Sequence, residues 1–513
     1  PQAAVSMQDD SHAQDDPLRD YREENRRSQM LLFVGGLAVG VLIIVGYFGW
    51  SFYGKTLEGW WAGENDLSGD RIYEPEHEVS EKRLDELDLE AVHAKLFPKW
   101  LSALSYDEVG APSDRTKKRF EELRTAVEAD PNLVALLDEI ASIAHSKELE
   151  RRSDRLLYLT WAWSNYMDQK GQPWFITGSV LIRRRGPMFY AKFYRELADV
   201  DVRVADRKYR RRVLKRVDGA NVRENYLGSA STVEEGAMVV IDRVSDFGAD
   251  RVWPLLGGEE AHLSELERAF AHPLTESISQ VLTDEQLSVL RETAATRARM
   301  LAAVESINQR SDCSDFRVTY TPELGYPART LSKLERLASA DRRDSCPRVT
   351  PAEAKAVEQA SIQFQSTEGL RDALEAMVSW LSRGVMVHEA KHVADDARFD
   401  GFDTPLTCPE CPAQLGTTGR AELSAYLSSF AHGSARLVNL YQACTMYEGG
   451  RGPHARALDL ILDHVVVDGA CENGPHEDFA ARAMQMESRL LGRTDTVELP
   501  DDFPDTVPLR LDR

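Results

Sequence analysis

The chain has 513 residues, of which 42% are hydrophobic and 28% are charged, and its formal net charge is -22. This length is more than one ordinary hydrophobic core organises, so it predicts two or three structural units. The negative charge argues against a general nucleic-acid-binding protein, because binding phosphates requires clustered Lys and Arg. We therefore expect no nucleic-acid partner.

An apolar segment without charged residues runs from Met30 to Trp50. As a helix it is long enough to cross a hydrocarbon layer of about 30 Å. Basic residues are concentrated before the segment, and only Lys55 follows it closely, so the N-terminus is expected in the cytoplasm. The sequence thus predicts a single-pass protein of the cytoplasmic (inner) membrane, with a disordered cytoplasmic tail at 1–29 and a transmembrane helix at 30–53. The bulk of the chain would be periplasmic or extracellular; a cleaved signal peptide is the alternative.

The region after the membrane segment is predicted to be mostly helical. Residues 54–90 are rich in Asp, Glu and Gly, which is typical of a solvated, acidic stalk. Residues 91–310, whose role the sequence does not indicate, show helical spacing interrupted by short β-like runs at 175–182 and 237–244. A basic run at 203–216 suits nucleic acid or anionic lipid, but charge runs are more often solvated helix faces. The fold class is therefore predicted to be mainly α with a small β component (α+β).

All six cysteines lie after residue 312. An even set confined to one region outside the membrane predicts disulfides, and we expect Cys313 and Cys346 to form one pair. A structural zinc site built on Cys408-Pro-Glu-Cys411 is the alternative. The remaining two cysteines are Cys444 and Cys471.

The segment His388-Glu389-Ala390-Lys391-His392 contains the pattern H-E-x-x-H. On a helix, His388 and His392 lie one turn apart on the same face, so both imidazoles can bind one ion. Zinc binds such nitrogens and, in catalytic sites, keeps one position open for water. Glu389 lies about 100° further round the helix, where it can take a proton from that water without binding the metal.

The two histidines continue an apolar stripe at helical spacing, which indicates that they lie on the buried side of their helix. A pair of core histidines without a metal is the alternative. Gly384, one turn before His388, would let another element approach closely. The stripe consists of Leu370, Leu374, Met377, Leu381 and Val385.

A second helical stretch at 419–431 offers a third ligand. Glu422 and Ala425 share a face of it, so the carboxylate can point at the metal while the small alanine allows close packing. In these residues the chain resembles the gluzincin group of zinc metallopeptidases, in which H-E-x-x-H is completed by a Glu on a later helix. The resemblance is local, and it departs from thermolysin-like members, which have an Asp at the position of Tyr426.

The resemblance implies a zincin-like metallopeptidase domain, which we place at 311–494 and follow with an extended tail at 495–513. It implies Zn²⁺ held by His388, His392 and Glu422, with Glu389 as the general base. Zincin folds lay the substrate along an edge strand, for which 316–320 is our prediction. The longer metzincin pattern is excluded, because Asp395 and Arg398 occupy its later positions.

Two roles around the predicted metal are open to several residues. The oxyanion of the tetrahedral intermediate needs a donor, and we favour His464 because Asp463 precedes it. The alternative donors are His432, Tyr441, Tyr447 and His454. The alternative carboxylate ligands are Asp395, Asp396, Asp400 and Asp403. Of these, Asp395 and Asp396 are expected to orient an imidazole rather than to bind the metal.

The sequence therefore predicts a membrane-anchored zinc peptidase that hydrolyses peptide or protein substrates outside the cytoplasmic membrane. The alternative is a membrane-tethered scaffold or binding protein with an inert zincin-like domain. An intramembrane protease is excluded, because H-E-x-x-H lies far from the apolar segment and among charged residues. Nothing in the sequence indicates the oligomeric state.

Overall fold

The computed structural model describes the protein between residues 84 and 509, and these residues belong to one compact unit. The predicted tail at 1–29, the predicted membrane helix at 30–53 and most of the predicted stalk lie outside the described residues. No helix among the described residues combines the length and the apolar character that a membrane span requires. Within this range the residues that are not described are 184–185, 219–226, 232–235, 258–262, 311–317, 319, 340–348, 399–407, 409–410, 413–414, 448–452, 466–470 and 472–473.

Helices that pack around buried aromatic side chains form the N-terminal part. Ser113 caps one helix, and Asp130 caps the next, which has Pro131 in its first turn. Trp100 and Trp163 are fully buried in the core between these helices. The helices are α1 (Leu89–Ala91), which continues through a π-helical turn (Val92–Leu96) into α2 (Phe97–Leu104), then α3 (Asp114–Val127), α4 (Pro131–Ala144) and α5 (Ser153–Gln169).

A six-stranded mixed sheet follows α5. Its strands are β1 (Trp174–Arg183), β2 (Gly186–Val204), β3 (Arg207–Arg216), β4 (Gly228–Ser231), β5 (Gly236–Val240) and, near the C-terminus, β6 (Val497–Glu498). They lie in the order β1-β2-β3-β5-β4, with β6 paired to β2. β3 and β5 are parallel, and the other neighbours are antiparallel. Strand β4 therefore forms one edge of the sheet.

Strand β3 holds most of the basic run, which is thus a strand and not the predicted helix face. Its side chains alternate between the two sides of the sheet. Arg210 and Arg212 form ion pairs with Asp168 of α5 on one side. Arg211 and Lys215 are buried on the other side. The long helix Leu370–Arg398 covers this second side, where the charge of its Glu389 acts on Arg211 and that of its Glu375 acts on Lys215.

After β5, every regular element among the described residues is a helix apart from β6. The combination of many helices with one small mixed sheet confirms the predicted α+β class. The helices are α6 (Ile241–Phe247), which continues through a π-helical turn (Gly248–Val252) and a 3-10 helix (Trp253–Gly257), then α7 (Glu265–Ser279), α8 (Asp284–Gln309), α9 (Ala328–Ser339), α10 (Pro351–Ser366), α11 (Leu370–Arg398), α12 (Gly416–Ala431), α13 (Arg436–Tyr447), α14 (Pro453–Val465) and α15 (Phe479–Leu491).

Helix α11 is the central element of this half. It has 29 residues, lies across β5 and β4, and packs against α12 on its other side. A β-carbon at Gly384 would lie 2.5 Å from Oδ1 of Asn439, so the glycine is what lets α13 approach α11. One hydrophobic core runs from Val200 of β2 to Leu509 and includes the buried side of α11.

Two disulfides are formed among the described residues, Cys408–Cys411 and Cys444–Cys471. They confirm the prediction that the cysteines form disulfides for these four residues, whose pairing the sequence left open. The Cys408–Cys411 bond takes the place of the alternative structural zinc site, because bonded sulfurs are not thiolate ligands. The predicted pair Cys313–Cys346 lies outside the described residues.

Two C-terminal segments differ from their predictions. The described residues of the predicted edge strand at 316–320, Val318 and Tyr320, belong to no strand. The described part of the predicted extended tail at 495–513 contains β6 and packs on the core, with Phe503 and Val507 buried. The tail also donates and accepts hydrogen bonds with α11, for example from Arg383 to the carbonyl oxygen of Phe503.

Candidate metal centre

Helix α11 places His388 and His392 on one face, one turn apart. Their Nε2 atoms are 3.2 Å apart, and the two rings meet edge to face with centroids 4.8 Å apart. Both nitrogens thus point to the same small volume between α11 and α12, as the H-E-x-x-H spacing predicts.

Helix α12 brings Glu422 to the same volume. Its Oε2 lies 3.4 Å from Nε2 of His388 and 3.6 Å from Nε2 of His392. A zinc ion bound tetrahedrally at about 2.0–2.1 Å from each ligand separates ligand atoms by roughly 3.3 Å. The triangle of His388, His392 and Glu422 has edges close to this value. The three residues can therefore hold a metal ion.

The chemistry of Oε2 also fits a cation. This oxygen is buried and has no well-aligned hydrogen-bond donor, although imidazole nitrogens surround it. Nδ1 of His454, on α14, is a third such nitrogen at 3.0 Å. A buried carboxylate oxygen without a donor is costly unless a positive charge lies next to it. Two imidazoles and one carboxylate are a ligand set that zinc accepts, with one position left for water.

The protonation of these groups follows from their mutual contacts. Burial raises the pKa of Glu422, but the three histidines outweigh it and hold the pKa well below its usual range. Burial likewise lowers the pKa of His392, but Glu422 outweighs this and raises the pKa to about 8. The metal-free centre therefore carries a proton on His392 at neutral pH, and a bound metal ion would replace it.

Glu389 lies against the sheet and close enough to the metal ligands for their charges to act on it. Its side chain is 8% exposed and lies against Gly228 at the start of the edge strand β4. Burial raises the pKa of Glu389 above its ordinary value, and the neighbouring His388 and His392 oppose this shift. A carboxylate with a raised pKa next to a metal ion is suited to accept and release a proton.

The buried Tyr426 and the half-exposed His454 complete the surroundings of the ligands. The ring of Tyr426 meets His388 edge to face, with centroids 4.8 Å apart. Its Oη lies 3.3 Å from Nδ1 of His454, whose side chain is half exposed. Tyr426, at the position where thermolysin-like enzymes have an Asp, thus links His388 to His454.

The predicted oxyanion donors lie in different places. His454 is next to Glu422. Tyr441 donates to the carbonyl oxygen of Arg251, and Tyr447 is exposed. Nε2 of His432 is buried and without a hydrogen-bond partner, and this ring lies near Asp495. The favoured His464 belongs to α14, but its side chain is not among those that the structure describes.

The two aspartates predicted to orient an imidazole have other surroundings. Asp395 accepts hydrogen bonds from Oγ of Ser424 at 2.6 Å and from Arg493 at 2.7 Å. Oδ1 of Asp396 is buried and has no hydrogen-bond partner. The structure therefore pairs Asp395 with α12 and the C-terminal segment, and not with a histidine ring.

Sequence analysis did not single out Gly228, Arg211 or Ser424. Arg211 is fully buried on the sheet side that α11 covers, and its Nε and Nη2 have no hydrogen-bond partner. Burial lowers its pKa to about 10, and the charge of Glu389 opposes this shift. The alternation of basic residues along β3 was the available signal for one buried arginine.

No family model, curated protein or solved structure matches the chain. Functional conclusions therefore depend on the geometry of the centre and on its chemistry.

Proposed function

We propose that the protein is a gluzincin-type zinc peptidase. The observation that carries the proposal is the convergence of His388, His392 and Glu422 at the spacing of metal ligands, with Glu389 next to the first histidine. The H-E-x-x-H pattern with a later Glu supports zinc over other metals, because nitrogen-rich sites with one carboxylate suit it. An inert scaffold would not need Glu389 at this place.

Each residue of the centre has a role in peptide hydrolysis. Zinc, when bound, would polarise the scissile carbonyl and acidify its water. Glu389 would accept a proton from the attacking water and transfer it to the leaving amine. His388, His392 and Glu422 would hold the ion.

His454 is the donor that best fits the oxyanion role. Oε2 of Glu422 lies 3.0 Å from Nδ1 of His454 and raises the pKa of this histidine above its ordinary value. In the protonated ring both nitrogens carry a hydrogen, so Nε2–H is a donor. Because the ring is half exposed beside Glu422, Nε2–H can donate to an oxyanion on the solvent side of the metal.

The edge strand β4 supports a peptide substrate. It is the outermost strand next to β5, and Gly228 at its start lies against Glu389. An extended peptide can add to such an edge by main-chain hydrogen bonds. We therefore assign the role of substrate-binding edge strand to β4 and not to the segment 316–320, for which it was predicted. The substrate is thus a peptide or an unfolded protein segment in extended conformation.

The proposal includes the location outside the cytoplasmic membrane. The disulfides Cys408–Cys411 and Cys444–Cys471 support an oxidising compartment. The predicted membrane helix at 30–53 would hold the peptidase at the membrane surface, where membrane or envelope proteins are the accessible substrates.

Cleavage of a quenched fluorescent peptide library by the full-length protein tests the proposal. Activity is expected to disappear with a chelator and to return with zinc. Glu389→Gln should keep zinc and lose activity at least about a thousandfold. His454→Ala should lower kcat about a hundredfold, whereas His476→Ala, a surface control whose ring also contacts a carboxylate, should not. Full activity of Glu389→Gln would contradict the proposal.

A further inference from the structure

The two helices that carry the metal ligands are joined by a buried hydrogen bond. Oγ of Ser424 donates to Oδ2 of Asp395 at 2.6 Å. Asp395 lies three residues after His392 on α11, and Ser424 lies two residues after Glu422 on α12. Both side chains are buried, so water does not compete for this bond. It fixes the separation of the helices one turn from the ligands.

The C-terminal segment holds the acceptor of this bond in place. Arg493 donates to Oδ1 of Asp395 at 2.7 Å, so both oxygens of the carboxylate are engaged. Asp495 contacts both Lys391 and Arg398, which flank Asp395 on α11. Since Lys391, Asp395 and Asp495 are buried, removing one of them would leave the others uncompensated. Asp395 is therefore held in one orientation towards α12.

We infer that Ser424 and Asp395 are positioning residues, which set the affinity for the metal by fixing Glu422 relative to His388 and His392. The inference rests on the proposed function, because it assumes that these three side chains bind the ion. The physical reason is geometric. A ligand triangle with edges of 3.2, 3.4 and 3.6 Å is fixed only if the two helices cannot slide past each other.

A second buried serine on the same helix, Ser428, offers a matched control for this bond. Ser428 lies one turn further along α12, is as buried as Ser424, and its Oγ has no hydrogen-bond partner. Removing its hydroxyl makes the same chemical change in the same helix without affecting the contact to α11. The two alanine variants therefore differ only in the loss of the bond between the helices.

Competition with a chelator of known affinity measures the zinc dissociation constant of the full-length variants. Ser424→Ala should raise this constant about tenfold, and Ser428→Ala should leave it within about twofold. Urea unfolding of the metal-free proteins separates affinity from stability. If Ser424→Ala lowers stability while the zinc dissociation constant stays that of the wild type, the bond is structural only and the inference is wrong.

A second pair of variants separates the effect of the hydroxyl group from the effect of side-chain packing. Ser424→Thr and Ser424→Val have nearly the same shape, but only Thr keeps the hydroxyl. We expect Thr to bind zinc about tenfold more tightly than Val, and equal constants would overturn the inference. Failure of the proposed function would be visible separately, because in that case the wild type itself would not bind zinc more tightly than His392→Ala.

Discussion

Gly228 of the edge strand lies so close to Glu389 that a β-carbon on residue 228 would be 2.6 Å from Cγ and 2.8 Å from Oε1 of the glutamate. The same β-carbon would be 2.8 Å from Cγ1 of Val385, so a side chain at position 228 would clash with two residues of α11. The position of Glu389, the proposed general base, thus depends on a residue without a side chain.

Gly228→Ala is therefore expected to displace Glu389 and to lower kcat/KM at least about tenfold, while zinc content stays near that of the wild type. Steady-state cleavage and metal analysis measure both. Gly248→Ala is the matched control, because its β-carbon would meet Leu381 of the same helix at 2.8 Å, two turns from His388. The control should lose stability but keep its activity per folded molecule. Equal activity losses in both variants would contradict this prediction.

Arg211 allows a prediction in which stability and activity change in opposite directions. Its guanidinium is buried with two nitrogens unpaired, so Arg211→Met should raise the free energy of unfolding by about 1–2 kcal/mol. The same change removes the positive charge that interacts with Glu389, and activity should fall about tenfold. Urea unfolding and peptide cleavage measure the two effects.

The control for Arg211 is its neighbour Arg212, which points to the other side of the sheet and pairs with Asp168 and Glu196. Arg212→Met should leave the activity unchanged and should not raise stability. A stabilised Arg211→Met with full activity would show that this charge does not act on Glu389.

Zinc binding should depend on pH through His392. Its pKa of about 8 in the metal-free protein means that a proton competes with the metal below this pH. Affinity for zinc should rise up to about tenfold per pH unit between about pH 6.5 and 8, and flatten above. Chelator competition, corrected for the pH dependence of the chelator, measures this. Affinity that is constant across the range would show that His392 binds the metal without losing a proton.

The burial of Glu487 on α15 predicts that the stability of the protein depends on pH. It is fully buried beside Lys391 at 3.1 Å, and burial raises its pKa from 4.5 to about 7. The folded state then holds a proton that the unfolded state has lost, so the free energy of unfolding decreases as pH rises from about 4.5 to 7. The decrease amounts to at most about 3 kcal/mol.

Glu487→Gln should lack this decrease, because glutamine does not titrate. Unfolding in urea at both ends of the pH window gives the comparison, with Glu121→Gln as an exposed control. Parallel pH curves for the wild type and Glu487→Gln would refute the prediction.

The spacing of residues along the chain was sufficient to predict the two helices that carry the candidate metal ligands. The apolar stripe that ends in His388 and His392 lies on α11, and Glu422 lies on the next helix, as expected. The helical spacing of residues 91–310 likewise predicts helices such as α8, which begins after its N-cap Thr283. In each case the signal comes from residues within a few turns of each other.

The remaining parts of the centre depend on contacts between distant segments. Strand β4 is short and contains glycine, alanine and serine, so it has no apolar alternation that would mark a strand. Arg211 is buried because α11 covers its side of the sheet, while its neighbours Arg210 and Arg212 pair with Asp168 on the other side. The partner of Asp395 and the position of His454 likewise depend on how helices dock, which spacing along the chain does not specify.

Anomalous X-ray scattering at the zinc edge from crystals of the zinc-loaded protein tests the central claim most directly. The account predicts one peak between α11 and α12, at about 2.0–2.2 Å from Nε2 of His388, Nε2 of His392 and an oxygen of Glu422. A peak elsewhere, or no peak with these three side chains ordered and unliganded, would contradict it.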